Sequence, residues 1–209
     1  MASITWHDPK TKQRIEDLVR EVEGQSSAEI VVSVKPFSGD YRAADVVFGA
    51  LGALIGLCIY VYAPVEFTDD LAPPSIAILF FAAYACSARV PALRRAFTPK
   101  TRQSANTRAA ARELFVDQNI SCTRDRTGIL IYVSTLEKRV DIVADIGILR
   151  RESDGQPAKL FANIENVVTQ GGSLESFEQA VRELGSWLAT SLPPRIDDTN
   201  ELADEVNVS

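Results

Sequence analysis

The sequence has very little histidine: His7 alone, beside Asp8 and Pro9 at a helix start. That excludes histidine-rich metal centres and leaves a serine–histidine–aspartate arrangement only one base, at the edge of the fold. Cysteine is scarce too, with Cys58, Cys86 and Cys122 at spacings that give neither a disulfide framework nor a zinc site. No Gly-x-x-x-x-Gly-Lys-Ser loop is present to cradle a phosphate, and no cysteine is followed by arginine five residues on. A basic excess is missing as well. The net charge is −6, which argues against a nucleic-acid binder. The amino-terminal stretch MASITWHDPKTKQRIEDL is polar and carries no cleavable leader pattern, so residues 1–45 are expected to stay in the cytoplasm. Internal repeats and low-complexity tracts are absent.

The most informative absence is of charge. Residues 46–63 (VVFGALGALIGLCIYVYA) and 71–88 hold no charged side chain, although 24% of the chain is charged. A helix over the first stretch would be about 27 Å long, close to the thickness of a hydrocarbon core. Tyr60 and Tyr62 lie toward one end, where aromatic rings favour the membrane interface. The second stretch opens with Pro73 and Pro74, so a full crossing requires Val90 to Leu93 to continue the helix, with Arg89 reaching back to the headgroups. The expected spans are therefore about 46–63 and 71–93; the alternatives are a hairpin that dips into the membrane without fully crossing and a buried hairpin of a soluble protein. Between them lie Glu66, Asp69 and Asp70 with no Lys or Arg, while Lys35 and Arg42 precede the pair and Arg89, Arg94, Arg95, Lys100 and Arg102 follow it. Positive residues stay on the cytoplasmic side, which predicts a multi-pass plasma-membrane protein with both termini in the cytoplasm. Gly49, Gly52 and Gly56 in the first span offer a small-residue face. Its partner is either the second span or another copy of the chain, the latter giving a homo-oligomer.

Outside the hairpin an α/β pattern remains. Asp8-Pro9 starts a helix whose Ile15, Leu18, Val19 and Val22 recur at helical spacing before Gly24. EIVVSVK (29–35), GILIYVS (128–134) and RVDIVAD (139–145) read as strands. The last two are joined by a short turn and so are antiparallel. The first two are connected through a helix over 102–118 and so are parallel. Two further helices, marked by Leu160 to Val168 and Leu174 to Leu188, close the fold before Pro193-Pro194. The expected fold class is thus a small mixed-sheet α/β sandwich interrupted by a two-helix transmembrane hairpin. It comprises a discontinuous cytoplasmic domain (1–45 and 94–192), the hairpin (46–93) and an acidic tail (193–209) carrying Asp197, Asp198, Glu201, Asp204 and Glu205.

Three blocks carry a resemblance: SAEIVVSVKPFSGDYRAAD (27–45), RTGILIYVSTLEKRVDIVADIGI (126–148) and NELADEV (200–206). Together they resemble the bacterial branch of the TPM-domain family, in which a membrane hairpin interrupts an α/β sandwich. Other branches of that family end the third strand with Gly-Tyr-Gly, where this chain has Asp145-Ile146-Gly147. The resemblance implies one of three roles: weak metal-dependent phosphatase, calcium-binding domain, or assembly and stability factor for a membrane complex.

The residues themselves leave only carboxylate chemistry open. Asp125 precedes the second strand, Asp145 follows the third, and Glu29 opens the first. The expected strand directions bring all three to one end of the sheet, where they could hold a divalent cation such as calcium. The alternative is that these are ordinary loop acids, with Asp145 capping a turn. An adaptor needs no such site. It requires only membrane lipid around the hairpin and another membrane protein to hold, and this is the reading the residues favour.

Overall fold

The computed structural model describes residues 4–64, 68–151, 155–194 and 207–208. These fall into two compact units, one built from Met1–Ser38 with Ser104–Ser209 and the other from Gly39–Gln103.

In the first unit, helix α1 (Pro9–Glu23) begins at Asp8 with proline in its first turn. Strand β1 (Glu29–Lys35) follows. Strands β2 (Gly128–Ser134) and β3 (Arg139–Ala144) form a hairpin. β1 pairs parallel with β2 from Glu29↔Gly128 to Lys35↔Ser134, and β2 pairs antiparallel with β3 from Ile129↔Ala144 to Ser134↔Arg139. The directions expected from the connections are those observed. A fourth strand, β4 (Asn207–Val208), adds to the free edge of β1, parallel to it, and gives the order β3-β2-β1-β4. This corrects the reading of 193–209 as tail throughout. Two residues next to the acidic run supply backbone groups to an edge that would otherwise stay unpaired. The acidic residues Asp197 to Glu205 lie outside the described residues.

Strand alternation sorts the two faces. Ile30, Val32, Val34, Ile129, Ile131, Val133 and Val140 point to one face, with Ile15, Leu18, Val19 and Val22 of α1. Helices α7 (Gln156–Thr169) and α8 (Leu174–Ser191) complete that layer through Ile164, Phe177, Val181, Leu184 and Leu188. Each such side chain contributes about 1.5–3 kcal/mol by leaving water, so this face carries most of the stability. Arg14 of α1 makes two bonds, of 2.8 and 3.0 Å, to buried Glu178 of α8, and fixes the register of the two helices. The other face is smaller: Val31, Leu130 and Tyr132 meet Ala111 and Phe115 of α5 (Lys100–Asp117), together with Ile120.

The second unit is a helical hairpin. Helix α2 runs over Arg42–Tyr62 and α3 over Ala72–Arg89. α3 does not continue to Leu93 as expected. Val90 is extended and Pro91 opens a separate short helix, α4 (Pro91–Ala96). The cause is local: proline disfavours the helical conformation in the residue before it and cannot donate the next ladder bond. Among the described residues α2 alone is both long and apolar enough to cross a membrane, with a mean hydropathy of 2.1.

Candidate functional site

The three carboxylates singled out from the sequence do lie at one end of the sheet, but Asp145 is committed to holding the backbone. Register places Glu29 opposite Gly128, and the Asp145 N–H donates to the Gly128 carbonyl at 2.9 Å. Asp145 is 5% exposed and lies one residue beyond β3, which stops at Ala144 instead of including it. It caps the short helix α6 (Ile146–Leu149), accepting the Ile146 N–H on Oδ1 at 2.6 Å. The same carboxylate takes both arms of Arg126, Nε to Oδ2 at 2.8 Å and an Nη to Oδ1 at 3.1 Å. Both oxygens are therefore engaged with groups that compete directly with a metal ion. Asp125 is half-buried in the preceding turn, and Glu29 is half-buried at the strand start. Among the described residues no group of three His, Cys, Asp or Glu is placed to hold a metal.

The block that ends Asp-Ile-Gly-Ile is instead a packed corner. Arg126 adopts a left-handed φ of 60°, at a cost of about 1–2 kcal/mol for a residue with a Cβ. Its carbonyl accepts the Gly147 N–H at 2.8 Å. A Cβ on Gly147 would stand 2.4 Å from the carbonyl oxygens of both Asp125 and Arg126. Glycine is thus needed there for close approach of one backbone to another. The arginine clamp, the capping aspartate and the glycine form one unit that joins the β2 entry to the β3 exit.

Sequence reasoning missed a polar patch on the α5 face of the sheet. Ser33, Tyr132 and Asp141 are register partners across β1, β2 and β3, and Lys35, Ser134 and Arg139 form the next row. Ser33 and Ser134 are wholly buried, and the Ser33 hydroxyl has no hydrogen-bond partner. Buried Glu137 accepts the Ser38 N–H at 2.8 Å and also the Ser134 hydroxyl. Tyr132 has its phenol pushed up by burial. The signal was present in the alternation of EIVVSVK and GILIYVS, whose serines and tyrosine share one parity. At the β3 edge, Asp141 faces Arg108 of α5 at 3.5 Å. Burial raises the Asp141 carboxyl despite that arginine, and burial together with the nearby Asp141 charge raises Glu165 of α7. An inward charge on an exposed edge strand is also a known guard against strand addition.

Beyond the carboxyl ends of β1 and β2 lies a cavity of about 150 Å3, with Ile4, Trp6 and Val168 as its apolar wall and Ser134, Thr135 and Lys138 as its polar one. Ligand pockets usually exceed roughly 300 Å3, so this one suits at most a very small molecule.

In the hairpin unit the glycine face is occupied by the chain's own second helix. A Cβ on Gly52 would lie 2.6 Å from that of Ala83, one on Gly56 would lie 2.5 Å from a Leu79 methyl, and one on Gly49 would lie 3.0 Å from the Phe80 ring. At the foot of the hairpin sits a polar cluster that the sequence did not reveal. Asp45 in the first turn of α2 is fully buried. Arg94 of α4 donates to it from Nε at 3.0 and 3.2 Å and from an Nη at 2.7 Å, and the Ser87 hydroxyl of α3 adds a bond of 2.8 Å. One carboxylate thus ties three helices together. Away from this cluster the hairpin surface is apolar, with Leu54, Ile55, Ile59, Val61, Ile78 and Phe81 each more than half exposed.

The fold defines a class: an α/β domain with a mixed sheet, helices on both faces, and a long apolar helical hairpin inserted in the crossover between its parallel strands. No family model matches the chain, and no curated protein matches it either. Among solved structures it is similar to the BA42 protein from the psychrophilic bacterium Bizionia argentinensis, determined by NMR. That likeness has a TM-score of 0.57 at 18% identity and covers 96% of this chain and 93% of that one. At such identity the likeness concerns the fold.

Proposed function

We propose that this protein is a membrane-anchored α/β adaptor of TPM-like type. Its hairpin inserts into the bacterial plasma membrane, both termini lie in the cytoplasm, and the domain holds or stabilises another membrane protein. The observation that carries this reading is the exposure of α2: a 21-residue helix of mean hydropathy 2.1 with only 22% of its apolar window buried. The core helix of a water-soluble protein has the same composition but is covered by the rest of the molecule. An apolar surface of this extent left open to water would drive aggregation, whereas lipid covers it at no cost. α3 supports the reading, since its glycine-side contacts with α2 leave Ile78 and Phe81 facing outward.

The adaptor reading follows from where the polar groups are. Asp145 is engaged by Arg126, Asp45 by Arg94 and Glu137 by Ser134. The metal-dependent phosphatase and calcium-binding alternatives need an open set of oxygen ligands, and Asp145, one of the three residues offered for that set, is already held by Arg126.

The test is topological and then biochemical. Membranes extracted with alkaline carbonate should retain the protein. A single cysteine at Thr68, in a chain whose native cysteines are replaced, should react with an impermeant maleimide in intact cells. Recovery in the carbonate supernatant, or labelling only after lysis, would refute the anchor or its orientation respectively. Affinity isolation from solubilised membranes should return one stoichiometric companion. Turnover of a phosphate ester abolished by chelator and by Asp145→Ala would replace the adaptor with an enzyme.

A further inference from the structure

We propose that the foot of the α2–α3 hairpin is a docking belt for anionic phospholipid headgroups. This rests on the membrane-anchor reading and names the lipid that the anchor prefers. Charge along the hairpin unit is segregated. The connection between α2 and α3 contains Glu66, Asp69 and Asp70 and no cation. The opposite end gathers Arg42 at the start of α2, Arg89 at the end of α3, Arg95 beside Arg94 on α4, and Lys100 and Arg102 in the first turn of α5. Among the described residues of this unit, Asp40 and Asp45 are the carboxylates at that end. Asp45 is fully buried and matched by Arg94. Asp40 approaches Arg42 only to 3.9 Å with both side chains largely exposed, a geometry that contributes little.

The break at Val90-Pro91 makes this arrangement possible. A continuous helix would carry Arg94 and Arg95 onward along the axis of α3. Instead Pro91 starts a new helix, and the Asp45–Arg94 pair fastens it to the foot of the hairpin, with Phe97 stacked edge-on to Phe48 at 5.2 Å. Clamped this way, α4 stays beside the first turns of α2, where the apolar run begins. Guanidinium groups pair with phosphodiester oxygens through paired donors. Cations just outside a span also gain from the negative surface of a membrane rich in anionic lipid. The cations are distributed over the ends of four helices instead of converging on one point. That suits several headgroups around a hairpin better than a single dissolved phosphate.

The experiment uses the full-length protein, purified in mild detergent and reconstituted into vesicles of phosphatidylcholine with or without phosphatidylglycerol. Insertion is read by flotation, and lipid retained through gentle detergent extraction is read by native mass spectrometry. Phosphatidylglycerol should be retained in preference to phosphatidylcholine. That preference should fall roughly five-fold for each cation removed in Arg42→Gln/Arg89→Gln and in Lys100→Gln/Arg102→Gln, and should weaken with salt. The second pair lies outside the hairpin helices and keeps the test open should the first disturb folding. Equal retention of the two lipids, or a preference unchanged in Lys100→Gln/Arg102→Gln, overturns the belt. So does displacement of phosphatidylglycerol by millimolar inorganic phosphate, which would mark a simple ion site. A protein that floats with neither vesicle overturns the anchor itself, whereas one that floats with both and shows no preference overturns the belt alone.

Discussion

Replacing Arg94 should cost far more than replacing the acid it serves. Asp45 is wholly excluded from solvent, and Arg94 supplies three of its four hydrogen bonds, at 2.7–3.2 Å. Arg94→Gln leaves a buried carboxylate with the Ser87 hydroxyl and no counter-charge, a loss of about 3 kcal/mol. The low end of the usual range applies because the arginine side chain is itself 25% exposed. Asp45→Asn leaves the opposite orphan, but a guanidinium at that exposure can turn to water, so the loss is about 1 kcal/mol. The double variant Asp45→Asn/Arg94→Gln removes both charges together and should resemble Asp45→Asn alone. Thermal melting of the full chain in detergent, followed by circular dichroism, should then show midpoints lowered by about 6–12 °C for Arg94→Gln and about 2–4 °C for the other two. Additive losses in the double variant, or Asp45→Asn falling further than Arg94→Gln, would refute the claim that a buried charge, not the shape of the cluster, organises the foot of the hairpin.

Other perturbations test other parts of the molecule. Gly147→Ala forces a Cβ to within 2.4 Å of two carbonyl oxygens, so the corner must open and break its own hydrogen bond, at a cost of about 2 kcal/mol; a melting point within a degree of wild type would refute the close-approach argument. Gly52→Leu should separate α2 from α3, where even a Cβ would sit 2.6 Å from Ala83; overpacking at about 1–3 kcal/mol should lower the melting point by about 2–10 °C, and an unchanged midpoint would count against the close packing. Asp141→Asn with Glu165→Gln should raise the melting point at neutral pH. Burial lifts both carboxyls in the folded state, so their favourable contribution is complete below the unfolded value, about 4, and is lost as pH rises through the raised folded values. The gain should vanish in acid, and a gain that persists there would point to some other cause. Asp145→Asn should leave the melting point insensitive to millimolar calcium, as in the wild type; a calcium-dependent rise in the wild type that Asn removes would restore the cation site.

Strand and helix positions were legible because local chemistry and final packing agree. EIVVSVK and GILIYVS are β-branched runs bounded by turn residues, and their observed limits coincide with those expected. β3 ended one residue early because Asp145 meets Arg126 and the Ile146 N–H, partners that strand periodicity does not encode. β4 went unread because two residues carry no period at all. The helix break before Pro91 was readable from the Val90-Pro91 dipeptide, a signal that counting apolar residues does not carry. The Asp45–Arg94 pair spans 49 positions. Asp45 therefore registered only as the end of one block of resemblance, and Arg94 only as a cation counted for topology. The proximity of Glu29, Asp125 and Asp145 followed from strand direction. What direction could not reveal was that an arginine one residue from Asp125 would already occupy the carboxylate of Asp145.

That occupancy bears on what kind of protein this is. Catalytic carboxylates are commonly left with a lone pair facing a cleft. Here the buried acids face the chain's own donors: Asp145 an arginine and a backbone N–H, Glu178 an arginine, Glu137 a serine hydroxyl and a backbone N–H. Such groups hold elements in register. The largest unsatisfied demand in the described residues is apolar, along Leu54, Ile55, Ile59, Val61 and Ile78. On the membrane-anchor proposal, lipid or another membrane helix covers that surface. The two are separable by substituting the outward side chains Ile55 and Ile59 with alanine. In lipid alone the change should leave companion recovery untouched, because alanine is still apolar and bilayer packing adapts to its smaller volume. Against a partner helix it removes the packing on which membrane association depends, and the companion should be lost from affinity isolation while the protein stays in the membrane fraction.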